Sequence, residues 1–392
     1  MEKRARFWSV LSQILSYVLV AVVASSVTAF LAIGHQKAGM TKLEQLQALI
    51  DQRFIGEADQ QRLEDGAAWG MVNSLGDPWS YYISADDYAE HMEQMNNAYV
   101  GIGVTIRQLE DGSGFEVLQL EMSGSAKEAG ILPGDVIVEV EGQSAAALGV
   151  DGAKKLIRGQ EGTTVSIGVL RQEQKLTFSV LRKTIQTPVA ESQMLAQNIG
   201  YIKINNFDSR CAAETIAAID ALLEQGAQSL IFDVRNNPGG YKHELVAVLD
   251  YLLPTGKLFQ SVDYTGKEEV DTSDAKCLKM PMAVLINENS YSAAEFFAAA
   301  LNEYDWAVVV GEATTGKGYF QNTFVLNDGS AVGLSVGKYF TPNGVSLADV
   351  GGLKPEVVSQ VGDEMAAKIY SGLVEPAEDP QIQAAVQALQ AE

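Results

Sequence analysis

Met282-Ala-Val-Leu-Ile-Asn-Glu-Asn-Ser-Tyr-Ser-Ala-Ala-Glu295 holds a strand, a turn and a helix start in one short stretch. Met282–Ile286 is an unbroken apolar run, the pattern of a strand buried on both faces. Asn287–Ser290 is built of turn formers, and Ala293–Leu301 continues as a helix. Ser292-Ala-Ala-Glu295 fits a capping box, the ordinary way a helix begins. A serine there also stands beside unsatisfied N–H groups at the positive end of the helix. The Ala293 N–H is then a natural donor to a developing oxyanion.

The same alternation extends on both sides. Upstream, Ile199–Ile204 reads as a strand, Ala212–Leu223 as a helix and Ser229–Val234 as a buried strand. That strand leads into Arg235-Asn-Asn-Pro-Gly-Gly240 and a helix over His243–Leu253. Downstream, strands are expected at Trp306–Gly311, Phe320–Leu326 and Ala331–Lys338. Long apolar strands alternating with helices predict a layered α/β core. The Asn-Pro-Gly-Gly turn can present the Gly239 and Gly240 N–H groups, or it is simply a strand-to-helix turn.

Between two of these strands lies Thr315-Gly316-Lys317-Gly318, a tight loop carrying an amine. A serine and a lysine on separate elements can hydrolyse an acyl bond without histidine or metal. The chain has only three histidines, and no CxxC or His-rich cluster suggests a metal or other cofactor. Gly311–Lys317 also fits the first positions of a nucleotide-binding P-loop. Gly318 stands where Ser or Thr must bind Mg²⁺, and the residues that follow are strand-like rather than helical. To act as a base, Lys317 must lose the proton it ordinarily holds up to a pKa of about 10.4. Burial near Tyr319, Phe320 and the preceding strand would lower it. Gln321, on the same strand, can orient the amine through its carbonyl oxygen.

Residues 98–184 read as a separate β-rich module. Strands are expected at Gly101–Arg107, Phe115–Gln119, Val136–Val140, Val165–Leu170 and Leu176–Leu181, with helices at Ser125–Ala129 and Gly149–Arg158. N–H groups around Gly101 and Gly103 can form a nest for a carboxylate, with an extended peptide adding beside Val104–Arg107. Tyr99-Val-Gly-Ile-Gly-Val104, Ala129-Gly-Ile-Leu-Pro-Gly-Asp135 and the helix ending at Ile157-Arg158-Gly159 together resemble a bacterial PDZ domain. Residues 41–96 are helical by pattern, with stripes at Leu43, Leu46, Leu49 and Ile50 and over Ala67–Leu75. Tyr81, Tyr82 and Tyr88 read as packing residues.

Lys3, Arg4 and Arg6 precede an uncharged run, Phe7–Ile33. As a helix that run spans about 40 Å, against about 30 Å of bilayer hydrocarbon. The basic flank predicts a single-pass anchor with its N-terminus cytoplasmic and the rest extracytoplasmic. Small residues at Thr28, Ala29 and Ala32 make a cleaved signal peptide the alternative. The run has no cysteine, which excludes a lipoprotein anchor. A net charge of −22 without any basic stripe argues against nucleic acid as a partner. Cys211 and Cys277 can pair in an oxidising compartment.

Arg235–Gly240, Asn289–Glu295 and Gly316–Gln321, in that order after a PDZ-like module, resemble the carboxyl-terminal processing (tail-specific) proteases of the S41 peptidase family. Leu75-Gly-Asp-Pro78 and Gly352-Leu-Lys-Pro-Glu356 extend the likeness. The resemblance implies an α/β (α+β) layered protease core of crotonase/ClpP-like type with an inserted β-rich PDZ domain. It implies Ser292 as nucleophile, Lys317 as general base and Gln321 as its orienting residue. Oxyanion donors would be the Gly239 and Ala293 N–H groups. The PDZ peptide site would be Gly101, Ile102, Gly103 and Val104, with Arg158 as a sensor of PDZ occupancy. Tyr291 stands where the family usually has a small residue, and Ala294 replaces a serine.

The expected plan is therefore an anchor (1–34), a helical region (35–97), a PDZ domain (98–184), a catalytic core (185–361) and an acidic helical tail (362–392) carrying Ile382, Val386 and Leu389 on one face. The expected function is a membrane-anchored serine endopeptidase acting on proteins or peptides with a free C-terminus; a homo-oligomer is compatible with it. The alternative is a catalytically silent PDZ scaffold binding C-terminal peptides.

Overall fold

The computed structural model describes residues 40–391 apart from Met122, together with a few positions between 16 and 25. The expected anchor over Phe7–Ile33 lies mostly outside the described residues. Among those described, no helix is long and apolar enough to cross a membrane. The chain divides into two compact units, Met1–Gly76 and Asp77–Glu392.

The first unit contains helices α1 (Lys42–Arg53) and α2 (Gln60–Asn73). Thr41 caps α1 reciprocally: its hydroxyl accepts the Glu44 N–H, and its own N–H donates to the Glu44 carboxylate. Asp59 caps α2 by accepting the Arg62 N–H. Leu43, Leu46 and Leu49 remain about half exposed, so the stripe expected there does not mark a buried face within this unit.

The second unit begins with strand β1 (Tyr81–Ile83) and helix α3 (Ala85–Met95). The sequence pattern gave no sign of β1, a three-residue strand paired with residues 331–333. Tyr81 and Tyr88 do pack, as expected, here against His91.

The chain enters the PDZ-like module on β2 (Ala98–Gly101) and leaves it on β9 (Lys183–Gln186), two strands paired antiparallel as a neck. Inside lie β3 (Val104–Gln108), β4 (Phe115–Leu120), α4 (Ser125–Ala129), β5 (Val136–Val140), β6 (Gln143–Ser144), α5 (Ala145–Ile157), β7 (Thr164–Arg171) and β8 (Gln174–Leu181). The sheet runs β3-β4-β5-β7-β8, which leaves β3 on its edge. Ile102, Phe115, Val117, Ile137, Ile157, Ile167 and Val180 fill its core. The single strand expected over Gly101–Arg107 is broken at Ile102-Gly103, because Gly103 takes a φ of 73° against Gly124. The second helix starts earlier than expected and is kinked at Gly149. Asp135 explains the Leu-Pro-Gly-Asp135 signature. Its buried carboxylate closes the turn on the Leu132 N–H (2.9 Å) and pairs with Arg171 (2.6 and 2.7 Å).

The core then adds β10 (Ala190–Leu195), β11 (Ile199–Ile204), α6 (Cys211–Glu224), β12 (Ser229–Asp233) and α7 (Lys242–Leu252). Next come β13 (Gly256–Asp263), β14 (Glu268–Ser273), β15 (Met282–Ile286), α8 (Ala293–Glu303), β16 (Val308–Gly311), β17 (Tyr319–Val325) and β18 (Ala331–Phe340). The chain ends with α9 (Leu347–Val350), β19 (Val357–Val358), α10 (Asp363–Tyr370) and α11 (Pro380–Ala391). The main sheet has the order β10-β11-β12-β15-β16-β19, parallel except at β10. Side chains alternate across it. Leu230, Phe232, Val284 and Ile286 join the core formed with α6, α7 and α8. Ile231, Ala283, Leu285 and Val310 face Ile382 and Ala385 of α11. Both faces are covered, which accounts for the unbroken apolar strands. A second, antiparallel sheet joins β1, β18, β13, β14 and β17. The fold is thus mixed α/β with an inserted PDZ-like module.

Candidate active site

The loops after β12, β15 and β16, three adjacent parallel strands, meet at one end of the main sheet. The first two are strapped together. Asn287 accepts the Asn236 N–H (2.9 Å), Ser290 donates its hydroxyl to the Val234 carbonyl (2.7 Å), and the Tyr291 N–H reaches the Asn237 carbonyl (3.1 Å). Ser292 follows as the N-cap of α8, with φ 58° and ψ −128°, backbone that residues other than glycine rarely adopt. Its side chain therefore leaves the turn between the strand and the helix, and it is 9 % exposed.

Gly239 lies against this turn with φ 88°. A Cβ there would come within 2.7 Å of the Ser292 Cβ and 2.8 Å of the Ala293 nitrogen. The two expected oxyanion donors, Gly239 and Ala293, are thus neighbours. The Gly239 N–H, however, donates to the Asn237 side-chain oxygen at 2.8 Å. Asn237 is itself fixed by donating to the Ile204 carbonyl (2.7 Å). The sequence reading named the Gly239 N–H as an oxyanion donor and did not foresee its Asn237 partner.

Lys317 sits in the loop after β16, where β17 rather than a helix follows, so the P-loop likeness ends there. Its ammonium lies 4.9 Å from the centre of the Trp79 ring and 5.7 Å from that of Tyr291. Burial pushes the Lys317 pKa down, against the opposing pull of the Glu295 and Asp77 carboxylates. Trp79 and Tyr291 therefore supply apolar cover to the amine. Glu295 is completely buried. It accepts the N–H groups of Ser292 (2.9 Å), Gly316 (2.6 Å) and Lys317 (2.8 Å) and the Thr314 hydroxyl (2.5 Å). Read from sequence alone, Glu295 was only the last residue of a capping box.

Gln321 lies on β17 opposite Ser335. Its amide donates to the Ser335 hydroxyl (3.0 Å) and the Tyr319 carbonyl (3.3 Å). Ser335 in turn donates its N–H to Ser80, which donates its hydroxyl to Asp77. Burial would raise the Asp77 pKa, but hydrogen bonds from Ser335, Ser80 and Trp79 outweigh it and hold the carboxyl low. Gln321 thus joins a chain ending at Asp77, which lies in the field of Lys317. Asp77 and Trp79 were missed as site residues; their only sequence signal was the Leu75-Gly-Asp-Pro78 stretch.

Within the PDZ-like module, Ile102 is buried in the core, while Gly101 ends β2 and Val104 opens the edge strand β3. Arg158 caps the end of α5. It pairs with Glu93 of α3 at 2.8 Å and stacks over Tyr99 at 5.1 Å, so in this arrangement its contacts lie on the approach to the module. Cys211 and Cys277 are both free. Burial pushes the Cys211 thiol up to about 12, and Cys277 is exposed.

Known proteins bear on this geometry. The profile of peptidase family S41 matches residues 198–359, that of the PDZ domain residues 100–181, and that of the activating protease CtpB N-terminal domain residues 21–87. The carboxy-terminal processing protease CtpA of Bacillus subtilis is 34% identical over 359 residues, covering 88% of this chain and 76% of that one. A probable CtpA-like serine protease of Staphylococcus epidermidis is 30% identical over 367 residues, covering 90% and 74%. Among solved structures, the photosystem II D1 C-terminal processing protease is similar at 25% identity and a TM-score of 0.47, covering 82% of this chain and 87% of that one. The chain belongs to peptidase family S41 and is a carboxy-terminal processing serine peptidase with a PDZ domain, acting on protein or peptide substrates.

Proposed function

We propose that Ser292 and Lys317 are the catalytic pair of this peptidase. The observation that carries the reading is the lysine's setting: its amine is covered by Trp79 and Tyr291 and its pKa is lowered by burial. Neutral Lys317 takes the Ser292 hydroxyl proton as the oxygen attacks the scissile carbonyl. The tetrahedral oxyanion rests on the Ala293 N–H at the helix start and on the Gly239 N–H, which exchanges its Asn237 partner for the substrate. The Lys317 ammonium then gives its proton to the leaving amine. Water, deprotonated by the same lysine, hydrolyses the ester. Gln321 acts on the lysine through Ser335, Ser80 and Asp77.

The PDZ domain binds the substrate's C-terminal residues on the free edge of β3, with the carboxylate at Gly101–Val104. Capture on one domain raises the effective concentration at the other. Arg158 reports this docking by leaving or keeping its Glu93 and Tyr99 contacts. The basic Lys3–Arg6 flank and the uncharged Phe7–Ile33 run support a single-pass anchor with the catalytic part outside the cytoplasm.

The test uses an unfolded polypeptide with a free C-terminus as substrate. Wild type cleaves it, while Ser292→Ala and Lys317→Ala fall by about 10³-fold or more. If wild type cuts no faster than the variants across pH 6–10, the chain is a silent scaffold. Full cutting by Lys317→Ala alone removes the lysine from the mechanism.

A further inference from the structure

Given the Ser292–Lys317 pair proposed above, we infer that Glu295 is a positioning residue for it, its buried carboxylate fixing the serine's turn and the lysine's loop in one register. A carboxylate taken out of water is costly unless its oxygens are supplied with donors. Glu295 is completely buried and has four, drawn from both segments. The Ser292 N–H comes from the turn, and the Thr314 hydroxyl and the Gly316 and Lys317 N–H groups come from the loop. An ordinary capping-box glutamate needs only the first of these and can remain in solvent.

Other ties between the two segments run through Thr315. Its hydroxyl donates to the Glu288 carbonyl (2.5 Å) and its N–H reaches the Ser290 carbonyl at 3.4 Å. Those contacts sit upstream of the serine, whereas Glu295 bonds to the backbone of Ser292 and Lys317 themselves. Thr314 extends the brace to the Gly352–Glu356 stretch, because its hydroxyl accepts the Leu353 N–H (2.8 Å) and its N–H donates to the Leu353 carbonyl (3.0 Å).

The same carboxylate acts on Lys317 through its charge. The charged groups facing the amine are Glu295 from α8 and Asp77 from the segment before β1; Trp79 and Tyr291 present neutral rings. Both carboxylates favour the ammonium form, against the burial that favours the amine. Glu295 therefore aligns the pair and keeps the lysine basic enough to accept the serine proton.

The experiment measures kcat, KM and the pH profile of the full chain on the unfolded polypeptide. Glu295→Gln keeps the shape but turns an NH₂ group toward donors and removes the charge. Its kcat is expected to fall about 10²-fold, as a displacement of about 1 Å would cause, with KM changed less than about twofold. The acid limb of the profile, which follows the neutral fraction of Lys317, moves to lower pH because a charge favouring the ammonium form is gone. Thr314→Val removes one donor and keeps the charge, so kcat falls roughly fivefold to tenfold and the acid limb stays in place. A Glu295→Gln enzyme that keeps its kcat, or loses it with the acid limb unmoved, overturns the proposal. Should Glu295→Gln not fold, as judged by circular dichroism, an unchanged kcat in Thr314→Val overturns it instead. Ser292→Ala and Lys317→Ala run alongside. If either cleaves at the wild-type rate, the catalytic pair is wrong; if both are dead and Glu295→Gln is fully active, only the role of Glu295 falls.

Discussion

Ser292 and Lys317 each hold a state that the unfolded chain avoids. Ser292 has a positive φ of 58°, a conformation that costs a residue with a Cβ about 1–3 kcal/mol. Lys317 is held with its pKa below the ordinary 10.5. A protonated lysine therefore weighs against the folded state at pH values below its folded pKa. The penalty fades as the pH rises toward the unfolded value, where the amine is neutral in both states. Lys317→Met is accordingly expected to abolish cleavage yet melt higher at pH 7, by about 2 °C for each kcal/mol relieved. The gap should close as melts are repeated up to about pH 10.5. Equal melting temperatures at pH 7, or a gap that widens with pH, would contradict this. Both residues were readable in sequence as candidates, because a serine at a helix start and a lysine between glycines are local patterns. Glu295, Asp77 and Trp79 were not. Their roles depend on partners brought in by the topology, and a capping-box glutamate looks the same whether buried or exposed.

At the level of elements, the loops after β12 and β15 behave as one unit. The Gly239 turn fits against Ser292 with no room for a methyl group, and it holds a φ of 88°. Gly239→Ala must both strain the turn and push on the Ser292 Cβ and the Ala293 nitrogen. A loss of kcat of about 10² to 10³-fold is expected, the size seen when one oxyanion donor is displaced, with circular dichroism unchanged. Activity within twofold of wild type would show that the turn is free to move away. The buried strands of this region were readable from their apolar runs: Ile199–Ile204 and Met282–Ile286 were located to the residue. β13 and β14 went unseen. Glu268–Ser273 is polar, and its strand exists because the hairpin joins it to β13. β1 was hidden for a similar reason, since its partner is β18, far along the chain. Strands specified by their own side chains could be read; strands specified by their neighbours could not.

On the scale of the whole second unit, the C-terminal helix α11 reaches back to the end of the sheet that carries the candidate site. Arg235, two residues before the Asn-Pro-Gly-Gly turn, is 5 % exposed. It binds Asp233 through two nitrogens (2.9 and 2.6 Å), Asp379 at 2.8 Å and Gln381 at 2.7 Å. Asp233 also accepts the Tyr201 hydroxyl (2.7 Å), so its charge is well supplied with donors. Asp379 therefore sits at a junction. One side is the start of α11, where it accepts the Gln381 N–H; the other is the turn carrying Gly239. Removing one partner of a buried ion pair costs about 3–5 kcal/mol, chiefly through the charge left behind. Here Asp233 still covers Arg235, which puts Asp379→Ala at the low end, about 3 kcal/mol. The Asn236–Gly240 turn loses its outer brace as well, so kcat should fall while KM for the unfolded polypeptide stays near wild type. Asp379→Asn keeps the acceptor oxygen that caps α11 and should recover much of the stability. Denaturant melts and steady-state kinetics on the two variants separate the effects. Stability lost with full kcat would mean that α11 only covers the sheet, whereas kcat lost in step with stability would make the C-terminal helix part of the support for the oxyanion turn.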